Sequence, residues 1–93
     1  MIEEDPEEHE LAALRAVWTP SAACRVLEIG SGDGRLTRRY APNVASIIAI
    51  DPDAGAIAEL QQEFSHVDAR AIGVEALTLP DQSVDVVLFA WAL

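Results

Sequence analysis

Lysine is absent from the chain, and its six cations, all arginine, stand against 16 acidic side chains for a formal net charge of −10. A surface of that sign repels nucleic acid and anionic membranes, so neither is an expected partner. The missing lysine fits either a GC-rich genome or a salt-adapted host that favours acidic surfaces. Cysteine occurs once, at Cys24. One thiol excludes an internal disulfide and a thiolate-based metal cluster. His9 and His66 stand apart near expected helix ends and read as surface residues, so no metal site is expected. No apolar run approaches the roughly 20 residues of a membrane span. The opening MIEEDPEEHE is acidic, the opposite of a secretory leader. A soluble, cytoplasmic protein is expected.

What is present suits one small globular domain. Apolar residues make up 51% of the chain, too many for disorder. With 93 residues the core is modest, burying about two-thirds of the unfolded surface. Asp5-Pro6-Glu7-Glu8 reads as a helix start, with Asp5 as cap and Glu8 as capping-box acid. Leu11, Leu14 and Trp18 recur at helical spacing until Pro20. A helix over 6–18, docked on one edge of a sheet with Leu14 and Trp18 packed inward, is the expectation. Strands are expected at 25–29, 46–50, 69–73 and 84–90. Helices are expected at about 33–41 and at 53–64, the second with Ala54, Ile57, Ala58, Leu60 and Phe64 on one side. Strands alternate with helices and are continuous apolar runs, which is the pattern of a parallel sheet buried on both faces.

The stretch VLEIGSGDGRL, residues 26–36, carries the chemistry. A strand runs into Gly30, Gly32 and Gly34, a turn without Cβ atoms that would bare backbone amides and a helix N-terminus to a ligand. In an open parallel sheet the crevice at the strand C-termini is the expected binding place. Asp51, at the end of the second strand, can accept from both ribose hydroxyls, or can cap the next helix beside Pro52. A dinucleotide loop reads G-x-G-x-x-G, and here Arg35 stands where the last glycine belongs. Glu28 and Asp33 would repel a pyrophosphate and suit a cationic ligand.

VLEIGSGDG at 26–34, IAIDPD at 48–53 and EALTLPDQSVDVVLFAWAL at 75–93 together resemble class I S-adenosylmethionine-dependent methyltransferases, in particular the small-molecule type. The resemblance covers residues 24–93. It implies a Rossmann-like α/β fold: an open parallel sheet with helices on both faces, here about four strands in the order 3-2-1-4. It implies S-adenosylmethionine as cofactor and a small-molecule methyl acceptor. Gly30, Ser31, Gly32 and Gly34 would cradle the methionine part, with Glu28 toward its ammonium, directly or through water. Asp51 would hold the ribose and Pro52 would pack near the adenine. Val74 and Glu75 would lie at the adenine edge, and Ala90 near the methionine end. Asp81 and Asp85 fall in the family's P-D-x-S-x-D pattern and read as structural. The family often has an acid where Gly73 stands, to accept from the adenine amino group.

The family's sheet has seven strands and four are seen here. The chain is therefore expected to be a single partial methyltransferase domain, with an N-terminal helix in 1–20 and the cofactor-binding core in 24–93. No catalytic residue is assigned within it. Strand four becomes a sheet edge with only Asp85 interrupting its apolar run, so a second copy, a partner chain or sequence lost to truncation is expected to cover it. Two other readings stand beside the enzyme. One is a non-catalytic cofactor-binding or interaction module. The other is a nicotinamide-type oxidoreductase fragment, disfavoured by Arg35 and the acidic loop.

Overall fold

The computed structural model describes residues 21–90. The helix expected over 6–18 and residues 91–93 lie outside them. Four strands, β1 (Arg25–Ile29), β2 (Ser46–Ile50), β3 (Asp68–Arg70) and β4 (Val86–Phe89), form one sheet in the order β3-β2-β1-β4. All three pairings are parallel. The chain steps outward from β1 to β3 and then returns to the far side of β1, so the order reverses between β1 and β4. In open parallel sheets ligands bind at the strand C-termini near such a reversal.

The register sorts side chains onto two faces. Val26 and Glu28 of β1 share a face with Ile47 and Ala49 of β2 and with Val86 and Leu88 of β4. On this face Leu36, Tyr40, Leu60 and Val67 complete a core in which Val26, Tyr40, Ala49 and Leu60 have no exposed surface. Burial of each large member contributes roughly 1.5–3 kcal/mol. The opposite face carries Leu27, Ile29, Ile48, Ile50, Val87 and Phe89.

Helix α1 (Thr37–Tyr40) is one turn long and runs into a 3-10 turn at Ala41–Asn43. It is shorter than the expected 33–41. Gly34 adopts φ +102°, which no right-handed helix contains, so the helix cannot start there. Pro42 then takes the start of the 3-10 turn. Helix α2 (Ala54–Glu63) matches expectation closely, but its inward face is narrower, since Ala54 and Ala58 are exposed and Ile57 and Leu60 are buried. Its cap is Asp53, whose side chain accepts from the Ala56 amide.

Two clamps, missed in the sequence, finish the sheet. The Gln61 amide donates to the Phe64 and Val67 carbonyls and accepts from the Ala69 amide, so it closes α2 and starts β3. At the other end, the Arg25 amide and guanidinium grip Asp85, and the Asp85 amide returns a bond to the Arg25 carbonyl. The guanidinium holds the Asp85 carboxyl below the usual carboxylate range. This agrees with the structural role read for Asp85, and it starts β4 two residues later than expected. β3 closes early, at Arg70, whose carbonyl is taken by the Ile72 amide. No described helix is long and apolar enough to cross a membrane.

Candidate functional site

The ends of β1, β2 and β3 enclose an open cleft of about 330 Å³, lined by Ile29, Gly30, Ile50, Asp51, Pro52, Ile72, Gly73 and Val74. Four of the residues picked from the sequence thus meet in one place: Gly30, Asp51, Pro52 and Val74. Glu75 stands in the 3-10 turn Val74–Ala76 beside it. The apolar lining by Ile29, Ile50 and Ile72 was missed, although each closes or follows an apolar strand run and so must reach the carboxyl edge of the sheet.

The glycine loop differs from expectation in what it offers. Gly30, Gly32 and Gly34 all take positive φ, at 78°, 55° and 102°, so the tight turn is as read. Four of its amides, however, are not free for a ligand. The Gly30 and Ser31 amides both donate to the Ile50 carbonyl, at 2.9 and 3.1 Å. The Gly34 amide donates to the Ser31 carbonyl at 3.1 Å, and the Gly32 amide to Asp51 Oδ2 at 3.0 Å. The following helix is a single turn and presents no dipole of consequence. A loop with these four donors spent inside the protein is a poorer cradle for a pyrophosphate and leaves acceptor oxygens for a cationic ligand.

Asp51 accepts twice, from Gly32 and, through Oδ1, from the Asp53 amide at 2.9 Å. It ties the loop to the end of β2, and the capping alternative falls to Asp53. Gly34 is buried under α2, where an added Cβ would lie 3.1 Å from Phe64 Cε2 and 3.4 Å from Leu60 Cγ. Gly32 has open space on that side. Gly34 therefore serves packing, and Gly32 faces open space. Ser31 is buried with its hydroxyl on the Ile50 carbonyl. Ala90 is buried in the core just past β4.

Glu28 of β1, two residues before the loop, is fully buried. Its Oε1 accepts from Thr37 Oγ1 at 2.9 Å and from the Tyr40 hydroxyl. Its Oε2 has no partner among the described residues. Burial pushes the carboxyl up to about 7, against the pull of the Tyr40 and Thr37 hydrogen bonds. Tyr40 is raised as well, by its own burial and then by the Glu28 charge.

A family model described as "Methyltransferase domain" matches residues 26–93. The chain belongs to this family. It is a class I S-adenosylmethionine-dependent methyltransferase domain. An "uncharacterized methyltransferase" of Mycobacterium tuberculosis is 37% identical over 73 residues, which are 78% of this chain and 30% of the relative. A "probable S-adenosylmethionine-dependent methyltransferase" of the same species is 36% identical over 63 residues, 68% of this chain and 23% of the relative. The chain thus spans less than a third of the length of these two relatives. The YcgJ protein of Bacillus subtilis superposes with a TM-score of 0.73 at 27% identity, covering 86% of this chain and 36% of that one. The phosphoethanolamine N-methyltransferase 1 of Haemonchus contortus superposes with a TM-score of 0.76 at 21% identity, covering 87% and 18%. The latter likeness speaks for the fold alone.

Proposed function

We propose that this chain is the cofactor-binding part of a methyltransferase that moves a methyl group from S-adenosylmethionine to a small-molecule acceptor. The observation that carries the reading is the loop with four of its amides consumed internally, set beside a buried carboxyl with an unpartnered oxygen. That donor-poor, acceptor-rich corner suits an ammonium or a sulfonium and not a phosphate. When bound, the cofactor supplies an electrophilic methyl carbon on a positively charged sulfur.

The residues would divide the work by position. Asp51 accepts the ribose hydroxyls with the lone pairs its two backbone bonds leave. Pro52 and Val74 pack on the adenine from the two sides of the cleft. The carbonyls around Gly30 and Gly32 face the methionine end, where Gly32 leaves open space. Glu28, two residues before the loop, balances the ammonium charge directly or through water, and a cation within reach would return its carboxyl to the ionised form. Ser31, Gly34 and Ala90 shape the loop from behind. The chain's contribution is positioning and water exclusion, which suffice for an acceptor that is already nucleophilic.

Calorimetric titration with S-adenosylhomocysteine, with NAD as control, tests the reading. Saturable binding of the first and none of the second is expected. Asp51→Ala should weaken binding by about 10- to 100-fold, since it removes charge-assisted hydrogen bonds and frees the loop. NAD binding with no response to S-adenosylhomocysteine would restore the oxidoreductase reading. Methyl transfer that never appears with any acceptor, despite cofactor binding, would favour the non-catalytic module.

β4 supports a further part of this reading. Val87 and Phe89, on one face of the strand, are 45% and 46% exposed. The outer edge of β4 pairs with no strand among the described residues. An open apolar edge favours strand addition by another chain, and a second copy is the simplest supplier. In sedimentation the purified chain should exceed the 10.0 kDa of a monomer. A monodisperse monomer at that mass counts against a covered edge.

A further inference from the structure

The glycine loop is pinned to the end of β2 by two kinds of bond. The Gly30 and Ser31 amides donate to the Ile50 carbonyl, at 2.9 and 3.1 Å, and the Gly32 amide donates to Asp51 Oδ2 at 3.0 Å. The Ile50 bonds run from backbone to backbone and do not depend on the side chains there. The Gly32 bond depends on one carboxylate. It also falls where the chain resists least. Gly32 takes φ +55°, and a Cβ built on it meets nothing within 4 Å, so no packing on that side fixes it.

Asp51 is itself held in place. Its Oδ1 accepts from the Asp53 amide at 2.9 Å, and Asp53 caps α2 through the Ala56 amide. The carboxylate thus bridges the start of α2 and the glycine loop. Each of its oxygens has taken one amide and keeps a further lone pair open. Asp51 lines the cleft together with Gly30, and Gly32 follows Gly30 by two residues.

We propose that Asp51, besides accepting from the ribose, is a positioning residue for the amino-acid end of the cofactor, acting through the Gly32 amide. The inference rests on the adenosyl reading of the cleft. One carboxylate then serves both ends of the ligand. A ribose on its open lone pairs holds the carboxylate in the orientation that fixes the loop. A fixed loop meets the amino-acid end without a further loss of backbone entropy. The two ends of the ligand are therefore positively coupled, each favouring the other by the same factor.

Two measurements test this. In the unliganded chain, hydrogen exchange followed by NMR should be about 10-fold faster at the Gly32 amide in Asp51→Ala than in wild type, with Gly30 and Ser31 still protected on the Ile50 carbonyl. Unchanged exchange at Gly32 overturns the anchor and the proposal with it. Wild type, Asp51→Ala and Asp51→Asn are then titrated with S-adenosylhomocysteine and with 5′-methylthioadenosine, which keeps the base, the ribose and the sulfur and lacks the amino-acid end. A residue acting through the ribose alone would cost both ligands the same factor. Asp51→Ala should instead weaken S-adenosylhomocysteine about 10-fold more than methylthioadenosine. Asp51→Asn, with one acceptor oxygen for two amides, should show the same inequality at smaller size. Circular dichroism checks folding, and Asp51→Asn carries the comparison should Asp51→Ala not fold. Equal factors for the two ligands overturn the positioning role and leave the adenosyl reading intact. Wild type that binds neither ligand overturns the adenosyl reading and this proposal with it.

Discussion

Raising the pH from about 5 to about 8 should lower the unfolding free energy of the chain by about 3 kcal/mol, and Glu28→Gln should remove most of that slope. Glu28 is the source. Its side chain is fully buried and its carboxyl is raised from 4.5 to about 7 by desolvation, with the hydrogen bonds from Tyr40 and Thr37 pulling the other way. In the unfolded chain the same group titrates at its ordinary value. A raised carboxyl contributes stability that is fully present below the unfolded value and is lost as the pH climbs through the folded one. The window therefore runs from about 4.5 to about 7. The groups held low, Asp85, Glu63 and Asp68, sit in exposed ion pairs with Arg25, Arg38 and Arg70. They act in the opposite sense, at lower pH, and exposed pairs contribute little. General acidic self-repulsion runs in the same direction as Glu28, so the variant is the control. Urea unfolding at four pH values in wild type and Glu28→Gln reads the effect. Equal slopes in the two proteins would show that Glu28 is not the group responsible.

Replacing Gly34 should be far more damaging than replacing Gly32, although the two glycines are indistinguishable in the motif. Gly34→Ala places a Cβ 3.1 Å from Phe64 Cε2 and 3.4 Å from Leu60 Cγ, at φ +102°. Leu60 is fully buried, so its side chain has little room to retreat. Backbone strain of about 1–3 kcal/mol adds to about 1–3 kcal/mol of overpacking. For a small domain that sum is a large share of total stability. Gly32→Ala meets nothing within 4 Å and sits at φ +55°, in the left-handed helical region. Its strain alone costs about 1–2 kcal/mol. Denaturant midpoints should fall in the order wild type, Gly32→Ala, Gly34→Ala. The order should reverse for ligand affinity in the chains that fold, because Gly32 faces open space two residues from Gly30, which lines the cleft. Equal midpoints for the two variants would refute the separation of a packing glycine from a ligand-side glycine.

The alternation of strands and helices was legible because each element announces itself locally. The β2 run SIIAI, the cap Asp53 and the glycines with positive φ are all properties of a few neighbouring residues. Buried parallel strands must be apolar on both faces, and that shows as an unbroken run. The sheet order came with the family resemblance, which three motifs in sequence carried. Element ends were less legible. β3 ends at Arg70 and β4 begins at Val86 because of bonds to Ile72 and Arg25, and the helix expected from residue 33 waits until Thr37 because of one dihedral angle.

By itself the sequence determined the fold class, the tight turn after β1 and four of the residues gathered at the carboxyl edge, Gly30, Asp51, Pro52 and Val74. Only the tertiary structure decided what each of them has left to give. Gly32 and Asp51 are 19 residues apart and spend a donor and an acceptor on each other. Ile50 takes the two amides that the motif seemed to offer. Glu28 is buried with one oxygen unpartnered, and Glu75 rests over Gly73. The physical reason is that a backbone angle follows from local sterics, whereas a hydrogen bond or a buried charge is settled by whichever distant group arrives beside it.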